Sequence, residues 1–437
     1  MNFEKLFKLA KEKGIEDIQV YFSGSTEFDI EVLKGSVEKY AIADSAKLAV
    51  KGIYQGKMGT VSTEVINEDV FDFIVDSIIA SAIAIDSEDE VFIYKGDKSY
   101  KKLEGLFNQE LVEVPAARKI EDTKKLEKLV LAQDERITMV QAFYGEGTTK
   151  VSIQNSKGLN LEKKVNNSAL GVFVIASDGT DQRTAYEYKL SNDYNDFNLE
   201  EMAINGAKKA CAQLGASPVE SGEYEILIEN AASASLLHPH VAMFSAESVQ
   251  KNVSLLKGKI GEVLGSDLIT LVDDPFRKKS AKSGAFDDEG VATKYKELIK
   301  EGKLTGFLHN LKTAKKGNTE STGSGFINGI STTNFHFLEG TTKFDDCVKG
   351  MKKGLIITDL AGTHAGCSAV SGDFSLQASG FLVEDGVVIR PVALITVAGN
   401  YLQLLKDVTH VCNDLYFNFG FVGSPSLKIK SLQVSGK

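Results

Sequence analysis

The chain has 437 residues, 43% of them hydrophobic, enough to bury a large core and to divide into two or three domains. Sixty acidic side chains against fifty basic ones leave a net charge of −10 with no long block of either sign, which excludes a nucleic-acid surface built on clustered Lys and Arg. The four cysteines, Cys211, Cys347, Cys367 and Cys412, contain no CxxC, so neither a disulfide framework nor a cysteine-rich zinc module is expected, and a reducing cytoplasm is the expected location.

The first segment, MNFEKLFKLAKEKG, reads as an amphipathic helix without the apolar core of a signal peptide. It is followed by IQVYFSGS, FDIEVLKGS, VEKYAIADS and AKLAVKGIY, where polar and apolar residues alternate between turn glycines in the pattern of half-buried antiparallel strands. A helix is expected over 67–85. At an offset of 123 residues the chain matches itself without a gap: FEKL meets LEKL, Tyr21 meets Tyr144, Ile30 meets Ile153, and Lys34-Gly35 meets Lys157-Gly158. A second helix over 198–213 closes the second copy. The expected fold is α+β, with a duplicated helix-plus-antiparallel-sheet N-terminal half (units 1–112 and 113–218) followed by a strand-rich C-terminal domain over 219–437. Nowhere do about 18 uncharged apolar residues run together, so no membrane partner is expected.

After Ser217-Pro218 the strand EYEILIEN leads into SLLHPHVAMF, which holds two of the six histidines. On a helix His238 and His240 would point about 200° apart, so they could not share one metal, and Pro239 suits the first turn of a helix. Two partly buried structural histidines are the expectation. In GAFDDEGVATKYKELIKEGKL, Asp287, Asp288 and Glu289 precede Gly290 and a segment read as helical; the acids could hold a cation or raise one another's pKa, or simply sit at a helix N-terminus. Further on, the glycines of TGSGFINGISTTNFHFLEG lack the Gly-Lys-Ser/Thr of a phosphate loop. In DLAGTHAGCSAVSGDFSLQASGF, His364, Cys367, Ser371 and Asp373 fit a substrate-lining loop better than a nucleophilic centre. Glu384-Asp385-Gly386 between apolar runs predicts a hairpin.

Together FDDEGVATKYKELIKEGKLTGFLHNLKTAKKG, STGSGF, HAGCSAVSGDFSLQASGFLVEDG and PVALITVAGN resemble the TldD/PmbA proteins, also called modulators of DNA gyrase, over nearly the whole chain. The resemblance implies peptide cleavage by a heterodimer of a TldD subunit and a PmbA (TldE) subunit. It also implies a zinc site in the TldD subunit, built on HExxxH and a cysteine near the C-terminus, where the metal polarises a peptide carbonyl and activates water. Against HExxxH, HPHVAM keeps His238, places Pro239 at the glutamate and Met243 at the second histidine, and no cysteine follows Cys412. The resemblance therefore points to the PmbA/TldE-type subunit, with no cofactor of its own, a TldD-like partner carrying zinc, and unfolded peptide as substrate; a homodimer is open for the isolated chain. Within that reading Asp287, Asp288, Glu289, Gly290, His364, Cys367, Ser371 and Asp373 are candidates for lining a peptide chamber or an interface. Two other readings stay open: a stand-alone metal-dependent or carboxylate hydrolase, and a non-enzymatic regulator of a larger protein such as gyrase.

Overall fold

A computed structural model describes residues 1–86 and 90–437. Two long hairpins stand back to back at the centre of the N-terminal half. Strands β1 (Ile18–Leu33), β2 (Ser36–Tyr54) and β3 (Lys57–Thr63) and strands β4 (Ile137–Asn155), β5 (Asn160–Ser177) and β6 (Gln182–Ser191) form one antiparallel sheet in the order β3-β2-β1-β4-β5-β6. The two-residue turns Lys34-Gly35 and Gln55-Gly56 have positive φ at both positions, the left-handed backbone that matches strand twist and that glycine reaches without a Cβ penalty. Helices α1 (Phe3–Glu12), α2 (Phe71–Ala84), α3 (Ala116–Leu131) and α4 (Leu199–Cys211) cover one face of this sheet. Asn2 caps α1 by accepting from the Glu4 amide, and Asn198 caps α4 by accepting from the Glu201 amide.

The mirror-symmetric strand order carries the duplication, but not the gapless register of the sequence match. Ile30 and Tyr144 pair across β1 and β4 in the core beneath the helices. Their matches at an offset of 123, Ile153 and Tyr21, pair with each other on the opposite face. An odd offset exchanges the two faces of a strand, so structurally equivalent residues must differ by an even number. The turn accounts for the slip: two residues link β1 to β2, whereas five separate the paired Gln154 and Asn160 at the corresponding turn.

The C-terminal half contains a closed barrel. Strands Val387–Asn400, Asp373–Glu384, Lys353–Ala361, Gly222–Ile228 and Leu427–Ser435 follow one another, and the last pairs back onto the first through Thr396 with Ser435 and Val397 with Val434. Closure removes the edges of this sheet and surrounds Ile226, Ile357, Leu376, Val397 and Ile429 in a continuous core. The expected turn is present, with Asp385 at φ 45° and Gly386 at φ 74° between paired Glu384 and Val387.

A second, mixed sheet contains Leu271–Asp273, Lys296–Lys300 and Phe335–Phe337, and it corrects the helical reading of the segment after Gly290. Lys296 is buried in that sheet because its ammonium pairs with the wholly buried Asp273 at 2.8 Å. Lys296, in a segment read from sequence as helical, is thus an internal ion-pair partner on a strand.

Helix α3 is anchored by another buried pair, Lys119 to Glu146 at 2.6 Å, with the Tyr144 hydroxyl donating to the same carboxylate at 2.6 Å. Replacing Lys119 by Met should leave Glu146 charged and buried and lower stability by about 3–5 kcal/mol in urea unfolding followed by circular dichroism. An unchanged midpoint would show that the pair does not hold the helix to the sheet.

Candidate functional site

The sheet face opposite the helices is turned toward the C-terminal half. Phe286, on the segment just before the three acids, packs there with Ile153 and Leu159, bordered by Tyr21, Tyr100 and Leu161. Asp287 is fully buried. Its Oδ1 accepts from the amides of Glu289 and Val291, both at 3.0 Å, and its Oδ2 accepts from the Gly325 amide at 2.8 Å. One carboxylate thereby closes the turn and ties it to the 325–330 hairpin. Asp288 Oδ2 accepts from the Ile327 amide at 3.0 Å, and Glu289 Oε2 accepts from the Leu311 amide at 2.7 Å. Gly290 has φ 87°, and a Cβ there would stand 2.6 Å from Leu159 of the N-terminal half, so only glycine lets the turn seat. Its carbonyl accepts from the Tyr100 hydroxyl at 2.7 Å. Asp287 and Asp288 therefore serve backbone amides of their own turn and of the hairpin, while Glu289 accepts from the first amide of the short helix Leu311–Lys316.

Lys51 of β2 and Lys163 of β5 face these acids, both half-buried. Burial lowers the pKa of each, while Glu289 and Asp287 raise that of Lys51, and Asp288 and Asp287 raise that of Lys163. Burial, and next the charge of Glu289, push Asp287 up to about 7 against the pull of its three amide donors. Burial likewise raises Glu289, which the Leu311 amide and Lys51 counteract. The result is a packed contact between the halves in which carboxylates and amines share a poorly hydrated space. Tyr21, Lys51 and Lys163 were not singled out from sequence; they lie more than a hundred residues from Asp287, and only the sheet register brings them to it.

The histidine segment is a short 3-10 helix, His238–Phe244, continuing the helix Asn230–Leu237 with Pro239 in its first turn. The expectation of two partly buried histidines is corrected. His238 is exposed, and its ring lies against Gly420 of the C-terminal tail, where a Cβ would come within 2.8 Å. His240 is fully buried, with Nδ1 2.8 Å from the Leu236 carbonyl and its ring stacked on Tyr401 at 3.9 Å. Burial lowers its pKa, and its Nε2 has no hydrogen-bond partner. Met243 is buried in the main core beside Phe244, and its carbonyl accepts from Ser254 at 2.7 Å.

These residues do not fit a zinc ion. His238 and Met243 occupy solvent-facing and core positions, and a thioether is a poor ligand in a hydrolytic site. Among the described residues no three His, Cys, Asp or Glu side chains converge on a metal position.

The remaining candidates sit near Tyr401. His364 is exposed on a four-residue helix, Thr363–Gly366, and Cys367 packs against the core with its pKa raised by burial. Asn400 binds the loop by donating to the Ser371 carbonyl and to Asp373 Oδ1, both at 2.9 Å. Those contacts hold the exposed Asp373 carboxyl below its usual range, with Asn400 the larger influence and Ser371 the smaller. Through Tyr401 this loop neighbours His240, whereas the acidic turn lies against the N-terminal sheet.

Comparison with known proteins places this architecture. Models of the PmbA/TldA metallopeptidase central domain and C-terminal domain match residues 109–214 and 221–436. A Thermotoga maritima crystal structure, described as a candidate modulator of a DNA gyrase, is 33% identical, with 99% of each chain covered and a TM-score of 0.93. Metalloprotease PmbA of Escherichia coli O157:H7 is 27% identical over 433 residues, covering 97% of this chain and 94% of that one. TldE from Thermococcus kodakarensis shares the fold, with a TM-score of 0.92 at 23% identity over 99% of this chain and all of the other. The chain belongs to the PmbA/TldD family of metalloprotease-related proteins. Among the described residues no helix is long and apolar enough to cross a membrane.

Because Asp287 titrates near 7 when folded and about 3.9 when unfolded, the folded chain holds the extra proton between those values. Its contribution to stability is full at low pH and is lost as pH rises through 7. Asp287→Asn removes that titration and one good acceptor. The variant should be less stable than the parent, with a gap that narrows between about pH 5 and pH 8 in chemical unfolding. A gap that widens over that range would reverse the assignment.

Proposed function

We propose that this chain is the PmbA/TldE-type subunit of a cytoplasmic two-subunit metalloprotease. It encloses and holds unfolded peptide, and a TldD-like partner supplies the zinc site at which the peptide is cut. The observation that carries the reading is the environment of the HPHVAM segment: His238 meets solvent while Met243 is built into the core, so the positions that would make a metal pair do different structural work. The similarity to a PmbA named as a metalloprotease supports the class of activity. Unfolded peptide suits a surface that recognises backbone, since strand addition is tolerant of sequence. The junction bearing Lys51, Lys163, Asp288 and Glu289 carries both signs of charge without the clustered cations that nucleic acid needs.

Mixing this chain with a TldD-like chain and an unstructured peptide should give cleavage that EDTA abolishes, while this chain alone gives none. Cleavage by the isolated chain would overturn the reading. His238→Ala in this chain should leave the rate of the mixture unchanged; loss of cleavage would return His238 to the metal site.

A further inference from the structure

Four of the five arginines in the sequence have polar partners. Arg118 pairs with Asp122 at 3.6 Å, Arg136 with Asp134 at 2.7 Å and Arg183 with Asp181 at 2.8 Å, while Arg390 donates to the carbonyls of Ser217 at 2.8 Å and Pro218 at 3.0 Å. Arg277 is the exception. Among the described residues its guanidinium has neither a hydrogen-bond acceptor nor a paired carboxylate, and it rests on the Phe417 ring, 3.8 Å from the centroid. The side chain is half-buried, and burial lowers its pKa, with the charge of Asp274 opposing. Asp274 is itself engaged, its Oδ1 accepting from the Phe276 amide at 2.9 Å. A guanidinium taken partly out of water without an acceptor is costly, and folded chains ordinarily supply one.

The position of Arg277 is fixed from several sides. Lys101 stands over the ring of the neighbouring Phe276 at 3.8 Å, and the Ser283 hydroxyl donates to the Arg277 carbonyl at 2.7 Å. Lys279 pairs with Asp193 and Asp196 of the N-terminal half at 3.1 and 2.9 Å. The platform is fixed as well. Strand register sets His336, Gly423 and Phe417 in one cross-strand row of the second sheet. A Cβ on Gly423 would come within 2.8 Å of the Phe417 ring, so the missing side chain lets that ring lie across the row toward His336, with centroids 5.1 Å apart. A few residues on, Phe419 stacks on Tyr188 of β6 at 3.9 Å, and Gly420 meets His238. The unpartnered cation therefore lies against the tail segment that links the N-terminal sheet to HPHVAM.

Stacking occupies one face of a guanidinium and leaves the donors at its edge as a fork that matches the two oxygens of a carboxylate. In a partly dehydrated position such a bidentate, charge-assisted pair is stronger than in water, and a side chain already held in place loses little freedom on forming it. We infer that Arg277, on its Phe417 platform, binds a carboxylate of the peptide that this subunit handles. The ligand supplies the acceptor that the fold leaves out. This deepens the peptide-handling reading and rests on it.

The test is calorimetric titration of the full isolated chain with short, unstructured, N-acetylated peptides that lack Asp and Glu. One ends in a free carboxylate, a second in a carboxamide, and a third in a carboxamide with a single internal glutamate added. The free acid should bind about tenfold or more tighter than the carboxamide. Arg277→Met, which keeps an apolar contact with Phe417 but no charge, should bind acid and carboxamide alike. Arg277→Lys keeps the charge without the fork and should give an intermediate ratio, which decides the matter if circular dichroism shows the methionine variant unfolded. Glutamate peptide binding like the free acid supports an anchor for any peptide carboxylate, and binding like the carboxamide supports an anchor for the C-terminus. Absence of binding, equal binding of all three peptides, or an acid preference that persists in Arg277→Met would overturn the proposal. If the preference is absent while the two-chain mixture still cleaves peptide, only the Arg277 assignment falls. If the preference is present while the mixture cannot cleave, the carboxylate site stands and the subunit reading falls.

Discussion

A single buried carboxylate fixes how the two halves of this protein meet. Asp287 gathers three backbone amides from its own turn and from the 325–330 hairpin, and burial leaves it no solvent to replace them. The turn it holds carries Phe286 into the apolar contact with Ile153 and Leu159, and Gly290 lets the backbone press against Leu159. Asp288 and Glu289, on the same turn, are then presented to Lys163 and Lys51. Across the halves the Tyr100 hydroxyl donates to the Gly290 carbonyl and the Ala292 amide to Asp97, both at 2.7 Å, and an unmade hydrogen bond costs about 1–3 kcal/mol, so separating the halves is opposed by polar as well as apolar terms. The junction of the halves is consequently a fixed feature of the fold.

The closed barrel plays the complementary part. The barrel has its sheet edges paired, whereas the N-terminal sheet and the second sheet of the C-terminal half do not close on themselves. The duplication gives the N-terminal sheet two similar stretches and treats them differently: in one, Asn166 bonds Leu106 and Asn108 of the linker, and in the other residues 36–47 pair outward with no strand among the described residues. The helix bearing His238 belongs to the barrel's core assembly, where Met243 contributes packing and His240 stacks on Tyr401. In this family member the segment is structural.

Much of this was legible in the sequence, for identifiable reasons. Alternation over residues 18–63 and paired turn residues such as Lys34-Gly35 and Asp385-Gly386 report local geometry, and local geometry is what a sequence pattern encodes. The duplication was also visible, but its register was not, because a longer turn between β4 and β5 changes parity and a gapless match cannot detect a change of face. The strand Lys296–Lys300 was hidden by a lysine whose charge is neutralised inside the fold by Asp273, a residue 23 positions away. Likewise Cys347 and Cys412 approach to 3.5 Å between their sulfurs although 65 residues separate them, and Tyr21, Lys51 and Lys163 join the acidic turn only through tertiary packing. Acidic residues in a row were readable as a cluster; their partners were not.

The central claim is that this chain contributes peptide handling and structure while the metal belongs to another subunit. Zinc content, measured by mass spectrometry after exposure to excess zinc and gel filtration, tests that claim most directly. The isolated chain should retain far less than one zinc per molecule, and its complex with a TldD-like chain about one per pair, held by that partner. One tightly held zinc per isolated chain, lost on His238→Ala, would contradict the account.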